Sequence, residues 1–213
     1  MSDPAPGTRR FLALGDSYTI GEGVDAADGW PARLATALRA EAVDIRDPEI
    51  VARTGWTVAE LDAGIDAAQP DGPYDLVTLL VGVNDQYRGG TAAAYRPAFR
   101  AMLARAVAFA GGRASRVVVL ATPDWGVTPF AARSSAGFAA DRDRTAIAAE
   151  VDAFNAAAQQ EAAAAGARWV DVAPVSRARG ARDVASDGLH PSGALYAAWA
   201  GLMLPVARAA LAE

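Results

Sequence analysis

One histidine occurs in the whole chain, His190, and an acid precedes it by three residues in Asp187-Gly188-Leu189-His190-Pro191. A carboxylate beside the only imidazole can fix its tautomer and stabilise its protonated form, so the pair can move a proton for a nucleophile elsewhere. Ser17, in Leu14-Gly15-Asp16-Ser17-Tyr18 directly after an apolar run, is the candidate nucleophile. If the three meet in space, the chemistry is that of a serine hydrolase. Each segment also has a plainer reading. Asp16 and Ser17 can cap a turn, Asp187 can close an Asx turn, and a lone histidine can be a hydrogen-bonded structural residue.

Composition removes many other chemistries. Of 213 residues, 52% are apolar and 21% charged, the make-up of a globular chain rather than a disordered one. All 20 basic residues are arginine, so a lysine Schiff base and a P-loop lysine are excluded. No cysteine is present to act as a thiol nucleophile, and one histidine falls short of the usual zinc sites. We expect no cofactor and no metal. Gly21-Glu22-Gly23-Val24-Asp25-Ala26 fits a degenerate dinucleotide pattern, but it starts too far after its strand for a Rossmann turn.

A net charge of −5 without clustered cations argues against nucleic acid as a partner. Apolar stretches are short and broken by Arg, Asp or Gly, so stable membrane insertion is not expected. The N-terminus shows no signal-like apolar region, which points to a cytoplasmic protein. The expected partner is a small-molecule or acylated substrate. Oligomeric state leaves no mark on the sequence.

The elements that must position Ser17 and His190 follow from local patterns. Short apolar runs at 11–14, 50–53, 76–81, 116–121 and 168–172 read as strands. Helical patterns lie between them, at 30–42, 91–110 and 141–165, with a last one at 192–211. Another helix, capped at Thr57 with Glu60 completing a capping box, runs to about 68. Pro97 marks an irregularity of the 91–110 pattern as a proline inside a helix, and residues 122–140 form a long loop. Near-continuous apolar strands alternating with helices imply a parallel sheet covered on both faces. The expected organisation is a single α/β domain over 1–213, with 1–9 a flexible arm.

In such sheets ligands bind beyond the carboxyl ends of the strands. Ser17, Gly55 and Asn84 each follow a different strand at that end. The Asn84 amide could donate to an oxyanion together with the Ser17 and Gly55 N–H groups, and a helix N-terminus at Ser17 would favour the same charge. Alternatively, Asn84-Asp85 is an ordinary turn and Gly55 serves only the backbone. Trp125, Phe130 and Phe138 in the long loop could line an acyl pocket or cover core. Tyr87 and Arg88 are candidate rim residues for substrate.

Taken together, Gly15-Asp16-Ser17, Gly55, Gly82-Val83-Asn84-Asp85 and Asp187-Gly188-Leu189-His190 resemble, in order, the four blocks of the SGNH, or GDSL-type, hydrolase superfamily. The resemblance spans the chain. It implies a three-layer α/β/α sandwich with a central parallel sheet of about five strands, similar to flavodoxin's. It also implies ester hydrolysis through an acyl-enzyme. Ser17 would be the nucleophile, His190 base then acid, and Asp187 its orienting partner, with Ser17, Gly55 and Asn84 forming the oxyanion hole. Thioesterase, lysophospholipase, acyltransferase or carbohydrate O-deacetylase activity would use the same residues, and a non-catalytic binding relative is the remaining alternative. No Gly-x-Ser-x-Gly elbow occurs, which separates the chain from the common α/β-hydrolases.

Overall fold

Successive strand residues face opposite sides of a sheet, and here both sides are apolar. β1 (Phe11–Asp16) sends Phe11 and Ala13 into one core and Leu12 and Leu14 into the other. The computed structural model describes residues 7–133 and 142–212. After β1 come α1 (Ser17–Ile20), a 3₁₀ turn (Ala26–Asp28) and α2 (Trp30–Ala40). Then follow β2 (Glu49–Arg53), α3 (Val58–Ala68), β3 (Leu76–Leu80), α4 (Val83–Tyr87) and α5 (Ala92–Phe109). A 3₁₀ turn (Ala114–Arg116) leads into β4 (Val117–Leu120), and another (Trp125–Val127) into α6 (Pro129–Arg133). The chain ends through α7 (Arg144–Ala165), β5 (Arg168–Val170), α8 (Ala173–Arg179) and α9 (Gly193–Leu211).

All five strands pair in parallel in the order β2-β1-β3-β4-β5. That is the order of flavodoxin-like doubly wound sheets, and the α/β sandwich is the expected one. α2 and α9 pack together over one face, around Trp30, Leu34, Trp199 and Met203. α3, α5 and α7 cover the other, around Leu61, Phe99, Met102 and Phe154. Thr57 caps α3 through the full capping box with Glu60.

Several boundaries differ from expectation for local reasons. α2 stops at Ala40 because Ala42 takes a φ of 63°, outside the right-handed helical region. β5 ends at Val170, since Val172 and Pro174 already belong to the start of α8. The loop expected over 122–140 contains a 3₁₀ turn and α6, and α7 begins only at Arg144, where the Asp143 side chain accepts from Thr145 N–H. Phe138 lies outside the described residues, as does 1–6 of the expected arm. Arg9, at the end of that arm, is tied down: it bridges to Ile45, and its guanidinium reaches the Leu211 carbonyl. α9 also departs from the expectation of short broken apolar runs. It has 19 residues and a mean hydropathy of 1.4, enough by length and composition to cross a bilayer. Here Tyr196, Trp199 and Met203 instead sit fully in the core.

Strand register fixes what meets at the carboxyl edge. Asp16 is level with Arg53, and Gly15 with Leu80. Ser17 therefore leaves the sheet between the turn that carries Gly55 and the one that carries Asn84.

Candidate active site

Ser17 is the first residue of α1 and is 5% exposed. The cap of α1 is Asp16, whose Oδ1 accepts the Tyr18 N–H at 3.0 Å, so the Ser17 hydroxyl is not used for capping. α1 has four residues, too few for a strong macrodipole. Any anion at Ser17 must be held by individual N–H groups instead.

Asp187 and His190 sit on the loop between α8 and α9. Asp187 Oδ1 accepts the N–H groups of Leu189 (2.8 Å) and His190 (3.0 Å), while Oδ2 lies 2.6 Å from His190 Nδ1. The Asx turn and the orienting carboxylate are thus one and the same residue. With Nδ1 engaged, Nε2 is the nitrogen left for proton transfer in the cleft. Burial opposes ionisation of Asp187, but the His190 ring and the two N–H groups outweigh it and hold the carboxyl below its ordinary value. Gly23 (φ 83°) makes room beside this loop; a Cβ there would stand 2.6 Å from the Ala185 Cβ.

Gly55 has a φ of 81°, which a side chain would resist although the space is nearly open. Asn84, on α4, donates Nδ2–H to the Trp56 carbonyl at 3.0 Å. A primary amide has two such hydrogens, so the second remains available to a substrate oxygen.

Ser17, Gly55, Asn84 and His190 line one cleft of about 170 Å³, together with Tyr18, Thr54, Val83, Tyr87, Trp125, Phe130 and Leu189. Tyr87, Trp125 and Phe130 form its aromatic wall, with ring centroids 5.3 to 6.5 Å apart. Trp125 is fixed by its indole N–H, which donates to Gln86 Oε1 at 2.8 Å. Arg88, expected at the rim as a substrate contact, does not line the cleft. Its guanidinium is occupied by the Gly55 carbonyl and by Glu60. Tyr18 went unnoticed in the sequence: it lines the cleft, and its ring lies 5.4 Å from that of His190. Its only signal was adjacency to Ser17.

Asp16 is completely buried, and its Oδ2 has no partner. Burial, with a smaller push from Asp85, raises its carboxyl to about 8 against the pull of the Tyr18 N–H. The folded protein therefore holds this proton at neutral pH, whereas an unfolded aspartate releases it near 4. Stability from this group is complete below about 4 and is lost as pH rises through about 8. Burial raises Asp85 too, in the same direction, whereas Glu60, Glu161 and Asp187 are lowered and act in acid. Urea unfolding from pH 5 to 8 should show declining stability in the parent and a flatter profile in Asp16→Asn. A parent profile that rises across that range would contradict the assignment.

A sequence model described as the GDSL-like Lipase/Acylhydrolase family matches residues 13–198. Among solved structures the chain is similar to TesA, with 22% identity, a TM-score of 0.70, and coverage of 93% of this chain and 97% of that one. It is similar also to the psychrotrophic esterase EstA of Pseudoalteromonas sp., inhibited by monoethylphosphonate (17% identity, TM-score 0.65, covering 96% and 100%). It is similar as well to a variant of Axe2, an acetyl-xylooligosaccharide esterase from Geobacillus (20% identity, TM-score 0.69, covering 93% and 94%). No match was found among curated proteins.

Proposed function

Because the chain belongs to the GDSL-like lipase/acylhydrolase family, we propose that it is a serine esterase acting on neutral carboxylic esters of small acyl groups. The observation that carries this reading is the single cleft in which Ser17, Gly55, Asn84 and His190 face an aromatic wall. Among the described residues, no carboxylate or guanidinium lines that cleft, which suits an uncharged acyl group. The esterase neighbours, one of them acting on acetylated xylooligosaccharides, support the same reading.

In the proposed reaction His190 Nε2 takes the Ser17 proton as Oγ attacks the ester carbonyl. The tetrahedral oxyanion is held by the Ser17 and Gly55 N–H groups and the free Asn84 N–H. His190 then hands its proton to the departing alcohol, leaving the acyl group on Ser17. Water, deprotonated by His190, repeats the sequence and releases the acid. Asp187 keeps the ring in the tautomer that both halves need.

A series of p-nitrophenyl esters from acetate to palmitate, with acetylated sugars beside it, tests the reading. We expect turnover to favour the short acyl groups. Asn84→Ala should lower kcat by about 10²–10³, the usual cost of one oxyanion donor. Absence of turnover across the whole series would refute the esterase reading, and an unchanged kcat in Asn84→Ala would remove that residue from the hole.

A further inference from the structure

Arg88 lies one helical turn beyond Asn84, and its guanidinium spans two partners. Nη2 donates to the Gly55 carbonyl at 2.6 Å, and Nη1 lies 3.1 Å from Glu60 Oε2. That same Glu60 oxygen accepts the Thr57 N–H at 2.8 Å, so the carboxylate which closes the α3 cap also anchors the guanidinium. Two neighbours on α4 bind the same turn: Asn84 holds the Trp56 carbonyl, and Asp85 Oδ2 accepts the Val58 N–H at 3.1 Å. Three side chains from one turn of helix therefore clasp residues 55–58. One of the three is itself a candidate oxyanion donor, and another holds the peptide unit next to the second donor.

We propose that Arg88 is a positioning residue for the oxyanion hole, locking the Gly55 turn to the helix that carries Asn84. The proposal rests on the esterase reading and adds a residue to it. Gly55 has a backbone conformation that glycine enters freely and leaves freely, so the turn has little stiffness of its own. An oxyanion donor works only when held where the charge develops, and a displacement of about 1 Å costs roughly a hundredfold in rate. The planar fork of arginine can meet a carbonyl and a carboxylate together, whereas a lysine ammonium is a point charge on a flexible stem.

Arg88→Met, Arg88→Lys and Glu60→Gln should be assayed with p-nitrophenyl acetate and with the p-nitrophenyl monoester of succinic acid. For Arg88→Met we expect kcat to fall about tenfold to a hundredfold, within the loss of a whole donor, with KM for both esters within about twofold. Phosphonylation of Ser17 should slow in parallel with kcat/KM. Arg88→Lys should recover only part of kcat, and Glu60→Gln should move it the same way by less. A rise in KM confined to the anionic ester would overturn the proposal in favour of a substrate contact. An unchanged kcat in Arg88→Met, or a loss tracking only a fall in melting temperature across the three variants, would overturn it as well. If Ser17→Ala retains parental activity, the esterase reading itself fails, whatever the Arg88 variants do.

Discussion

Ser17→Ala should lower kcat for a p-nitrophenyl ester by roughly 10⁴–10⁶-fold, the range seen when the nucleophile of a catalytic triad is removed. The substitution deletes one oxygen at a position 5% exposed, and Asp16 rather than Ser17 caps α1. The fold should therefore survive, with a melting temperature close to the parent's. An alkyl phosphonate should add one covalent mass to the parent, on the peptide containing Ser17, and none to the variant. Mass spectrometry and active-site titration read both results. Parental turnover by Ser17→Ala would place the nucleophile elsewhere, and this chain offers no thiol or lysine to take its place.

His190→Ala should cost about as much as losing Ser17, because neither group works without the other. The Ser17→Ala/His190→Ala double variant should then be no slower than either single one. Such non-additivity separates a joint catalytic role from two unrelated structural ones. Removing the ring also deletes a group that is 7% exposed and packed on Tyr18, so some stability should be lost as well. Asp187→Asn avoids that packing loss. It keeps an acceptor for the loop N–H groups but takes away the carboxylate that selects the tautomer, and kcat should fall by about 10⁴. Asp187 is ionised under any neutral assay, because its carboxyl lies below the ordinary value; its contribution is present above that value and is lost only as pH falls through the lowered one. If Asp187→Asn and the parent share one kcat, His190 is not oriented by that carboxylate.

The parts of the fold written in local pattern were legible from the chain. β1 and β3 are buried at every position, so their sequences read as near-continuous apolar runs, broken by Thr78 in β3 and ending at Gly15 and Asp16 in β1. The α3 start was legible because a capping box needs only residues 57 and 60. The turn of helix at Ser17 was legible, but α4, α6 and α8 were not, since helices of five to seven residues are too short to show a period. They exist because the surrounding sheet and longer helices hold them, not through propensity. Ser17, Gly55 and Asn84 could be placed at one edge by topology alone, whereas His190, on the loop between α8 and α9, joined them only through the family resemblance. The Arg88 hydrogen bond to Gly55 could not be foreseen, because Gly55 is 33 residues away and is brought near only by the β1–β2 and β1–β3 registers. A charged residue beside a candidate site suggests a substrate contact until its own partners are seen.

Phe130 links two parts of the cleft. Its ring belongs to the aromatic wall, and its N–H donates at 2.9 Å to the carbonyl of Gly188, inside the loop that carries Asp187 and His190. In the proposed reaction, contact with the acyl group and placement of the proton-transfer group would thus share one residue. On the proposed esterase reading, an acyl chain that fills the wall would steady the imidazole as the bond-making begins, so that energy gained far from the carbonyl would be released in the transition state rather than in the resting complex. Along the ester series, we then expect a better-fitting acyl group to raise kcat itself and to do more than lower KM.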